Sequence, residues 1–528
     1  MPIPQVKQLN ILKGNLCLCR ADAVLDAALV GAREGVLAML ALGEASPAAD
    51  GVKAEFRQND RFADEQYSIR ANGNGVRIEA GGIAGAVYAA ATIAQLCAEH
   101  GGTLPYCAVE DAPGHPWRGF LLDVCRHFFP LSTVKTIVDL LTYYKYNRLH
   151  LHLTEDQGFR FESERFPLLN SIGSYRKSTV KKHAEFKGQD GVPHGGYYTK
   201  AELRELVRYC KVRGIEIVPE IDMPGHALSM IAAYPELACF PEPVEVATYF
   251  GVTDFSKKLF CAGSEKTFDF LFSLLDEVLE LFPFSHVHIG GDEAVKSEWK
   301  RCERCQQVMR EQGMKDEREL QGYFLNRVID FLDSRGRKAI VWNDGLCDSL
   351  DPRAAVQHWT PWYLEGPGRT IRAINAGRKA ILSPFMHLYY DYPYALTPLR
   401  KTYCYLPTMC GVRKTSETNI LGVEAAIWTE WIDTEDKLFF NMLPRLAATA
   451  ETGWSVRRGD YKTFLTWLKP HYKLYDRLKL TYAKNVEQPH SLLKRIQGVV
   501  TYAKDETHAE LIAQQKQNNQ PNGGNKHE

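Results

Sequence analysis

The sequence predicts a (β/α)8 barrel, the TIM-barrel class of α/β folds, preceded by a small α+β domain. Three observations predict it. Eight short apolar runs alternate with longer helical stretches from Trp117 to Trp428. A hairpin and an Ala-rich helix precede them. Acids and tryptophans recur just past the apolar runs, at the strand ends where barrels of this kind carry their sites. A chain of 528 residues also exceeds one ordinary core, which calls for several domains or a large barrel with an added module.

In chain order, residues 1–112 form the first unit. Tyr67-Ser68-Ile69-Arg70 and Val76-Arg77-Ile78-Glu79 alternate apolar and polar around Asn72-Gly73-Asn74-Gly75, a hairpin signal. Gly85 to Leu96 reads as a helix packed on those strands. Asp111-Ala112-Pro113-Gly114-His115-Pro116 reads as a linker. The barrel is placed over residues 113–485. Its strands are expected at Gly119–Val124, Arg148–Leu153, Glu216–Ile221, His286–Ile289, Lys338–Trp342, Ala355–His358, Lys379–Leu382 and Gly422–Trp428. Thr199-Lys200-Ala201-Glu202 is a capping box opening one intervening helix. Ser264 is placed as the cap of another that runs to Phe282. A doubly wound open sheet shares the alternation, and the count of eight favours closure. Residues 486–528 are expected to be a helix and a disordered tail, because Asn518–Asn525 has almost no apolar content.

The composition is 45% hydrophobic and 24% charged, with 64 basic and 64 acidic residues. Such a balance gives no field to draw nucleic acid or an anionic membrane. No stretch approaches the ~20 apolar residues of a bilayer span. The first ten residues lack a basic start followed by an apolar core, and the thirteen scattered cysteines read as reduced thiols. Both point to the cytoplasm, although a removed leader would leave the same sequence.

The polar residues beyond the apolar runs are Asp123 and Arg126; His152, Glu155 and Asp156; Glu220, Asp222 and His226; Asp292 and Glu293; Trp342, Asn343 and Asp344; His358 and Trp359; Tyr389 and Asp391; and Trp428, Glu430 and Trp431. No phosphate-cradling glycine loop and no Gly-x-Ser-x-Gly elbow occurs. Carboxylates, one Arg and Trp faces suit a sugar, whose C–H face packs on indole and whose hydroxyl rim binds acids and guanidinium. In His286-Val287-His288-Ile289-Gly290-Gly291-Asp292-Glu293-Ala294 a strand runs into Gly-Gly and two acids. Consecutive extended residues point in opposite directions, so the pair is not an ordinary acid and nucleophile flanking one bond. One carboxyl would donate a proton while the other positions something. The competing reading is an acidic helix start.

That segment resembles the catalytic signature of family 20 glycoside hydrolases, the β-N-acetylhexosaminidases. Gly119–His127, Leu151–Gly158, Pro219–His226 and Trp428-Thr429-Glu430 resemble further motifs of the same family, in the same order. The first 112 residues resemble the α+β domain that often precedes its barrel. The resemblance implies removal of terminal β-linked GlcNAc or GalNAc with no cofactor and no metal. The substrate's 2-acetamido oxygen would be the nucleophile, closing an oxazolinium ring. It implies that Glu293 is the general acid and then base, that Asp292 holds the acetamido N–H, and that Tyr389 donates to its carbonyl. Trp342, Trp359 and Trp428 would wall the acetyl group, and Arg126, Asp391 and Glu430 would take the sugar rim. Glu155, Asp156 and His226 would tune the acid from behind. The family usually has Asp where this chain has Glu155, an extra methylene that moves the carboxylate by roughly 1.5 Å.

Each residue also has a plainer role open to it: Arg126 as the partner of Asp123, His226 as a core histidine, Trp342 and Trp359 as packing, Glu430 as a helix-start acid. Tyr389 is chosen among neighbouring tyrosines by its Tyr-x-Asp register with Asp391. Two His-x-His pairs, His150/His152 and His286/His288, support a metal-dependent amidohydrolase as the rival enzyme class. A non-catalytic sugar-binding barrel is a further alternative, although such a relative should have lost Glu293 or its neighbours. Cys302-Glu303-Arg304-Cys305 lacks a second pair at zinc-finger spacing and reads as a surface helix feature. The segments Lys177–Tyr198 and Pro361–Gly368 are expected to shape specificity beyond the terminal sugar.

Overall fold

Eight parallel strands close into a barrel in the computed structural model, which describes residues 1–43, 51–181, 188–250, 258–360, 368–455, 458–486 and Leu493. The strands are Trp117–Asp123, Arg148–His152, Glu216–Glu220, His286–His288, Lys338–Trp342, Ala355–His358, Ala380–Leu382 and Ile420–Ile427. They follow one another around the barrel, and the eighth pairs with the first through Gly422↔Trp117 to Ile427↔Leu122. Every expected strand is present, with differences only at the ends. The runs are legible because parallel strands buried on both faces read as continuous apolar segments.

The barrel interior is not wholly apolar. Glu424 accepts hydrogen bonds from Trp117 Nε1 at 2.8 Å, His150 Nδ1 at 2.7 Å and Gln357 Nε2 at 2.8 Å. Glu220 accepts from Trp342 Nε1 at 2.7 Å and pairs with His288 at 2.9 Å and with His152. Gly119 makes room for this layer, since a Cβ there would stand 2.1 Å from a Glu424 oxygen. The two carboxylates are satisfied in this way, as buried charges require, although His288 Nε2 and Gln357 Oε1 in the same layer are buried without a hydrogen-bond partner.

The leading domain is a six-stranded sheet in the order Gln8–Leu16, Leu104–Asp111, Tyr67–Asn72, Gly75–Ala80, Val52–Gln58, Leu18–Leu25. The hairpin pairs Ile69 with Ile78 and closes at Asn72↔Gly75. The helix expected from Gly85 to Leu96 spans Ile83–Glu99 and is buried along nearly all its length. It lies between the sheet and two barrel helices, Leu131–Tyr143 and Tyr461–Arg477, which is why it is apolar on every face. The four other strands escaped the sequence reading. Gln8–Leu16, for one, is exposed over most of its length and shows no alternation.

The stretch read as a linker is instead fixed. Asp111 ends a strand, and its carboxylate is buried against Lys145 Nζ at 2.9 Å and Trp454 Nε1 at 3.0 Å, both from the barrel. Gly114 N–H donates to the Trp454 carbonyl at 2.7 Å. The Thr199/Glu202 capping box forms in full. Ser264 occupies the N-cap of Glu265–Leu281, but its side chain makes no cap bond. Among the described residues no helix is long and apolar enough to cross a membrane. Apart from Val486 and Leu493, the segment expected to be a C-terminal helix and tail lies outside the described residues, as do residues 182–187 and 361–367 of the two specificity segments.

Candidate active site

The C-terminal mouth of the barrel holds a cavity of about 220 Å³. Its walls are aromatic. Trp359 follows the sixth strand, Tyr389 the short helix after the seventh, and Trp428 the eighth. Tyr389 pairs with Ala426 in an isolated bridge, and Tyr390 N–H donates to the Ala426 carbonyl at 2.8 Å. That zipper sets Tyr389 beside Trp428 at 6.0 Å and nearly parallel to Trp359 at 6.2 Å. Trp342 does not line the cavity. It is fully buried beneath Trp428, 6.0 Å away, with its N–H committed to Glu220.

Arg126, Asp391 and Glu430 form one polar side. The Arg126 guanidinium reaches Asp123 at 3.2 Å, Glu155 at 3.0 Å and Gln157 at 3.2 Å, and lies over the Trp428 ring. Burial opposes its charge, but Glu155, Asp123 and Glu430 hold it protonated beyond the ordinary arginine range. Burial and the neighbouring Glu430 push the Asp391 carboxyl well above its usual range, and one Asp391 oxygen is buried without a partner. Burial likewise raises Glu430, with Arg126 acting against it. Acceptors left short of donors beside a fixed cation suit a ring of hydroxyls.

The acids stand on a strained turn. Gly290 and Gly291 have φ of 64° and 101°, and Glu293 itself has φ 45°. A Cβ at Gly290 would sit 1.6 Å from Asp222 Oδ1, the atom that accepts the Gly291 N–H at 3.2 Å. Gln321 Nε2 clamps the Gly291 carbonyl at 2.7 Å. Left-handed backbone in a residue other than glycine persists only where the surroundings over-determine it. The turn separates the two carboxyls. Asp292 lines the inner cavity and not the one beside it. Glu293 is half out of it and also lines a neighbouring cavity of about 330 Å³ with Lys296, Arg318 and Asp344.

Behind them, His226, also left-handed at φ 50°, holds Nε2 at 3.7 Å from Asp292 and 3.6 Å from Glu293. Its Nδ1 meets Glu155 at 2.7 Å. Glu155 also meets His152 at 3.0 Å, so its longer side chain joins Arg126, His152 and His226. Burial works against the Glu155 charge, yet Arg126, His226 and His152 hold it well below the carboxylate range. The His226 ring is driven well above the imidazole range by Glu155, Asp292 and Asp222, against its burial. Burial raises Asp292 to about 7; His226 opposes the rise, and Glu220, Glu293 and Asp344 add to it. Asp156 is off the cavity. Its carboxylate takes the Leu228 N–H at 2.8 Å and ties down the loop carrying His226, and burial with Glu155 raises it to about 6.

The structure therefore brings Arg126, Glu155, His226, Asp292, Glu293, Trp359, Tyr389, Asp391, Trp428 and Glu430 to one cavity, with Trp342 and Asp156 behind it. His152, Phe250, Tyr392, Trp431 and Ile432 also line it; His152 had figured only in the rival metal-site reading, and the other four had been given no role. His152 and Trp431 carried a strand-end signal. Phe250 and Ile432 carried none. Three of the four His-x-His rings belong to the interior: His150 and His288 sit on Glu424 and Glu220, and His286 packs on Trp117, while His152 bridges Glu220 to Glu155 at the cavity floor. Cys302 and Cys305 are not on the surface; both are buried, against Cys239 and Cys261.

The model described as glycosyl hydrolase family 20, catalytic domain, matches residues 115–457, and that for domain 2 of the same family matches residues 3–112. The β-hexosaminidase of Porphyromonas gingivalis is 36% identical over 76% of this chain, which spans about half of that protein (52%). That of Akkermansia muciniphila is 36% identical over 74% of this chain and 79% of its own. Among solved structures, the GH20 exo-β-N-acetylglucosaminidase from Vibrio harveyi in complex with N-acetylglucosamine has a TM-score of 0.79 and 27% identity, covering 91% of this chain and 78% of that one. The GH20 β-N-acetylhexosaminidase from Streptomyces coelicolor A3(2) also has 0.79 and 27%, over 93% and 98%.

Proposed function

The chain belongs to glycosyl hydrolase family 20, and from that membership we propose that it is a retaining exo-β-N-acetylhexosaminidase. It removes terminal β-linked GlcNAc or GalNAc from glycans or glycoconjugates. The observation that carries this reading is the division between the adjacent acids: Asp292 lines the inner cavity and not the neighbouring one, while Glu293 lines both. A terminal sugar in the inner space and its aglycone in the outer one place the glycosidic oxygen at Glu293.

The reaction runs in two steps. The substrate's acetamido oxygen attacks C1 as the C1–O bond breaks, and the Glu293 carboxyl gives its proton to the departing oxygen. Asp292 accepts the amide N–H and offsets the charge of the oxazolinium ring, while the Tyr389 hydroxyl donates to the acetamido oxygen. Glu293, now ionised, takes a proton from the water that opens the ring at C1. Two inversions give retention. Holding the nucleophile on the same molecule is worth several kcal/mol of barrier, roughly 7–11 for well-oriented intramolecular reactions. Trp359, Tyr389 and Trp428 support the reading by enclosing the space an acetyl group needs, with Trp342 backing them. Arg126 and Glu430 take the 3- and 4-hydroxyls, and Asp391 the sugar rim beside them. Hydrolysis of matched aryl β-GlcNAc, β-GalNAc and β-glucose substrates tests it. The first two should turn over and the glucoside, lacking the amide, should be almost inert; comparable rates for all three would end the reading.

A further inference from the structure

Four cysteines from three chain segments converge behind the loops that bear the catalytic acids. Cys239 follows the short helix Pro235–Leu237 on the third-strand loop. Cys261 lies just before the helix Glu265–Leu281. Cys302 and Cys305 occupy the N-cap and first turn of the helix Glu303–Glu311, which ends the fourth-strand loop. All four are buried and free of disulfides. Their sulfurs stand 3.6 Å apart for Cys239–Cys305 and 3.8 Å apart for Cys261–Cys302 and Cys261–Cys305, and all lie within 4.8 Å of one another. A disulfide needs about 2.05 Å. Zinc–thiolate bonds of ~2.3 Å in a tetrahedron put sulfurs about 3.8 Å apart along each edge.

Cysteine is also a small apolar side chain, and four could fill a core without a ligand. Ordinary packing gives no reason for four sulfurs to meet at a tetrahedral edge, nor for the supporting backbone to be pinned on every side. Ala238 and Phe260 form an isolated bridge, and Cys261 N–H donates to the Leu237 carbonyl at 2.8 Å. Trp299 Nε1 donates to the Phe260 carbonyl at 2.9 Å, and an Arg304 nitrogen to the Cys239 carbonyl at 3.1 Å. Gly263 is required, because a Cβ there would lie 2.3 Å from the Arg304 carbonyl carbon and 2.5 Å from the Cys305 nitrogen. Arg304 and a helix N-terminus both oppose the negative charge that four thiolates around a divalent ion would carry.

We propose that Cys239, Cys261, Cys302 and Cys305 bind one structural zinc ion. Binding exchanges four thiol protons for four Zn–S bonds and involves no redox step. Four protein ligands leave no open position, so the ion has no part in the chemistry. Its place in the fold gives it another task. The third-strand loop carries His226 and then Cys239; the fourth-strand loop carries Asp292 and Glu293 and then Cys302. The ion ties the two loops together at their far ends, away from the cavity, and so fixes the turn on which the acids stand.

The test is metal analysis of the full chain purified from zinc-supplemented cells, with the Cys302→Ser/Cys305→Ser variant and a Cys347→Ser control outside the cluster. About one zinc per chain is expected in the wild type and the control, and below about a tenth in the double variant, with a lower Tm. Should the variant fail to fold, the wild type still decides. Titration with an organomercurial should release its zinc to a metallochromic dye, and refolding with cadmium should give the ultraviolet thiolate-to-metal charge-transfer band. Wild-type protein that holds no zinc and shows no such band overturns the proposal. So does a folded double variant that keeps its zinc.

Discussion

Replacing Asp292 by Asn should leave the fold intact and cripple the reaction. Asn keeps the shape but cannot accept the acetamido N–H as an anion, and it offers no charge to the oxazolinium. In the free protein one Asp292 oxygen is buried without a hydrogen-bond partner, an acceptor that fits an amide donor. A hydrogen bond to a charged acceptor contributes ~1.5–3 kcal/mol, and at 1.36 kcal/mol per decade its loss alone costs about 10- to 150-fold in kcat/KM. A positive ring forming about 4 Å from the carboxylate, at an effective dielectric of ~20, adds up to about 4 kcal/mol that exists only as the charge develops, so kcat bears most of the loss. Because burial and the acids Glu220, Glu293 and Asp344 raise this carboxyl to about 7, the neutral amide should not lower Tm at neutral pH. The assay is kcat and KM on an aryl β-GlcNAc with a melting curve on the same sample. A folded variant within about threefold of wild-type kcat/KM would refute the reasoning, since the weakest term alone demands about tenfold.

Glu293→Gln should abolish turnover of alkyl and sugar leaving groups and spare activated aryl glycosides, read as a steep leaving-group dependence of kcat/KM; a uniform loss across leaving groups would contradict its role as acid. On pH, Asp292 titrates near 7 rather than 3.8, so between those values the folded chain holds a proton that the unfolded chain lacks, and the ionised form needed for catalysis disappears as pH falls through about 7. The acid limb of kcat/KM, which reports the free enzyme, should bend near there, and that of kcat should lie lower because the bound amide favours the carboxylate; Asp292→Asn should remove the limb. Lys145→Met should strand the buried Asp111 carboxylate and cost about 3–5 kcal/mol in denaturant unfolding, because the pair is fully buried between the leading domain and the barrel. A loss below about 1 kcal/mol would mean the two layers are not coupled there.

Much of this was legible in the sequence because it rests on local pattern. Eight buried parallel strands announce themselves as eight apolar runs, and the residue just past each run is where a barrel keeps its chemistry. Position along a strand end does not say which way a side chain turns. Trp342 and Trp359 carried the same signal, yet one went under the floor to Glu220 and the other into the wall. Glu155 looked like an anomaly of one methylene; in three dimensions that length lets one carboxylate meet Arg126, His152 and His226. Phe250 reaches the cavity from a long loop with no periodicity to mark it. The four cysteines failed to register because 21 and 40 residues separate Cys239, Cys261 and Cys302, and only the bridge between Ala238 and Phe260 and the packing of Gly263 on Arg304 brings them together. The edge strand Gln8–Leu16 was missed for the opposite reason, since an exposed strand has no apolar face to read.

The most direct measurement of the central claim is a series of aryl β-glycosides whose acetamido methyl carries zero, one, two or three fluorines. Each fluorine withdraws electrons from the carbonyl oxygen while the rest of the sugar stays the same. If that oxygen closes on C1 above Asp292, kcat/KM falls steeply and in step with fluorination. A flat series, or a glycosyl ester caught on a side chain during turnover, would show that the protein supplies the nucleophile and that the separate duties assigned to Asp292 and Glu293 are wrong.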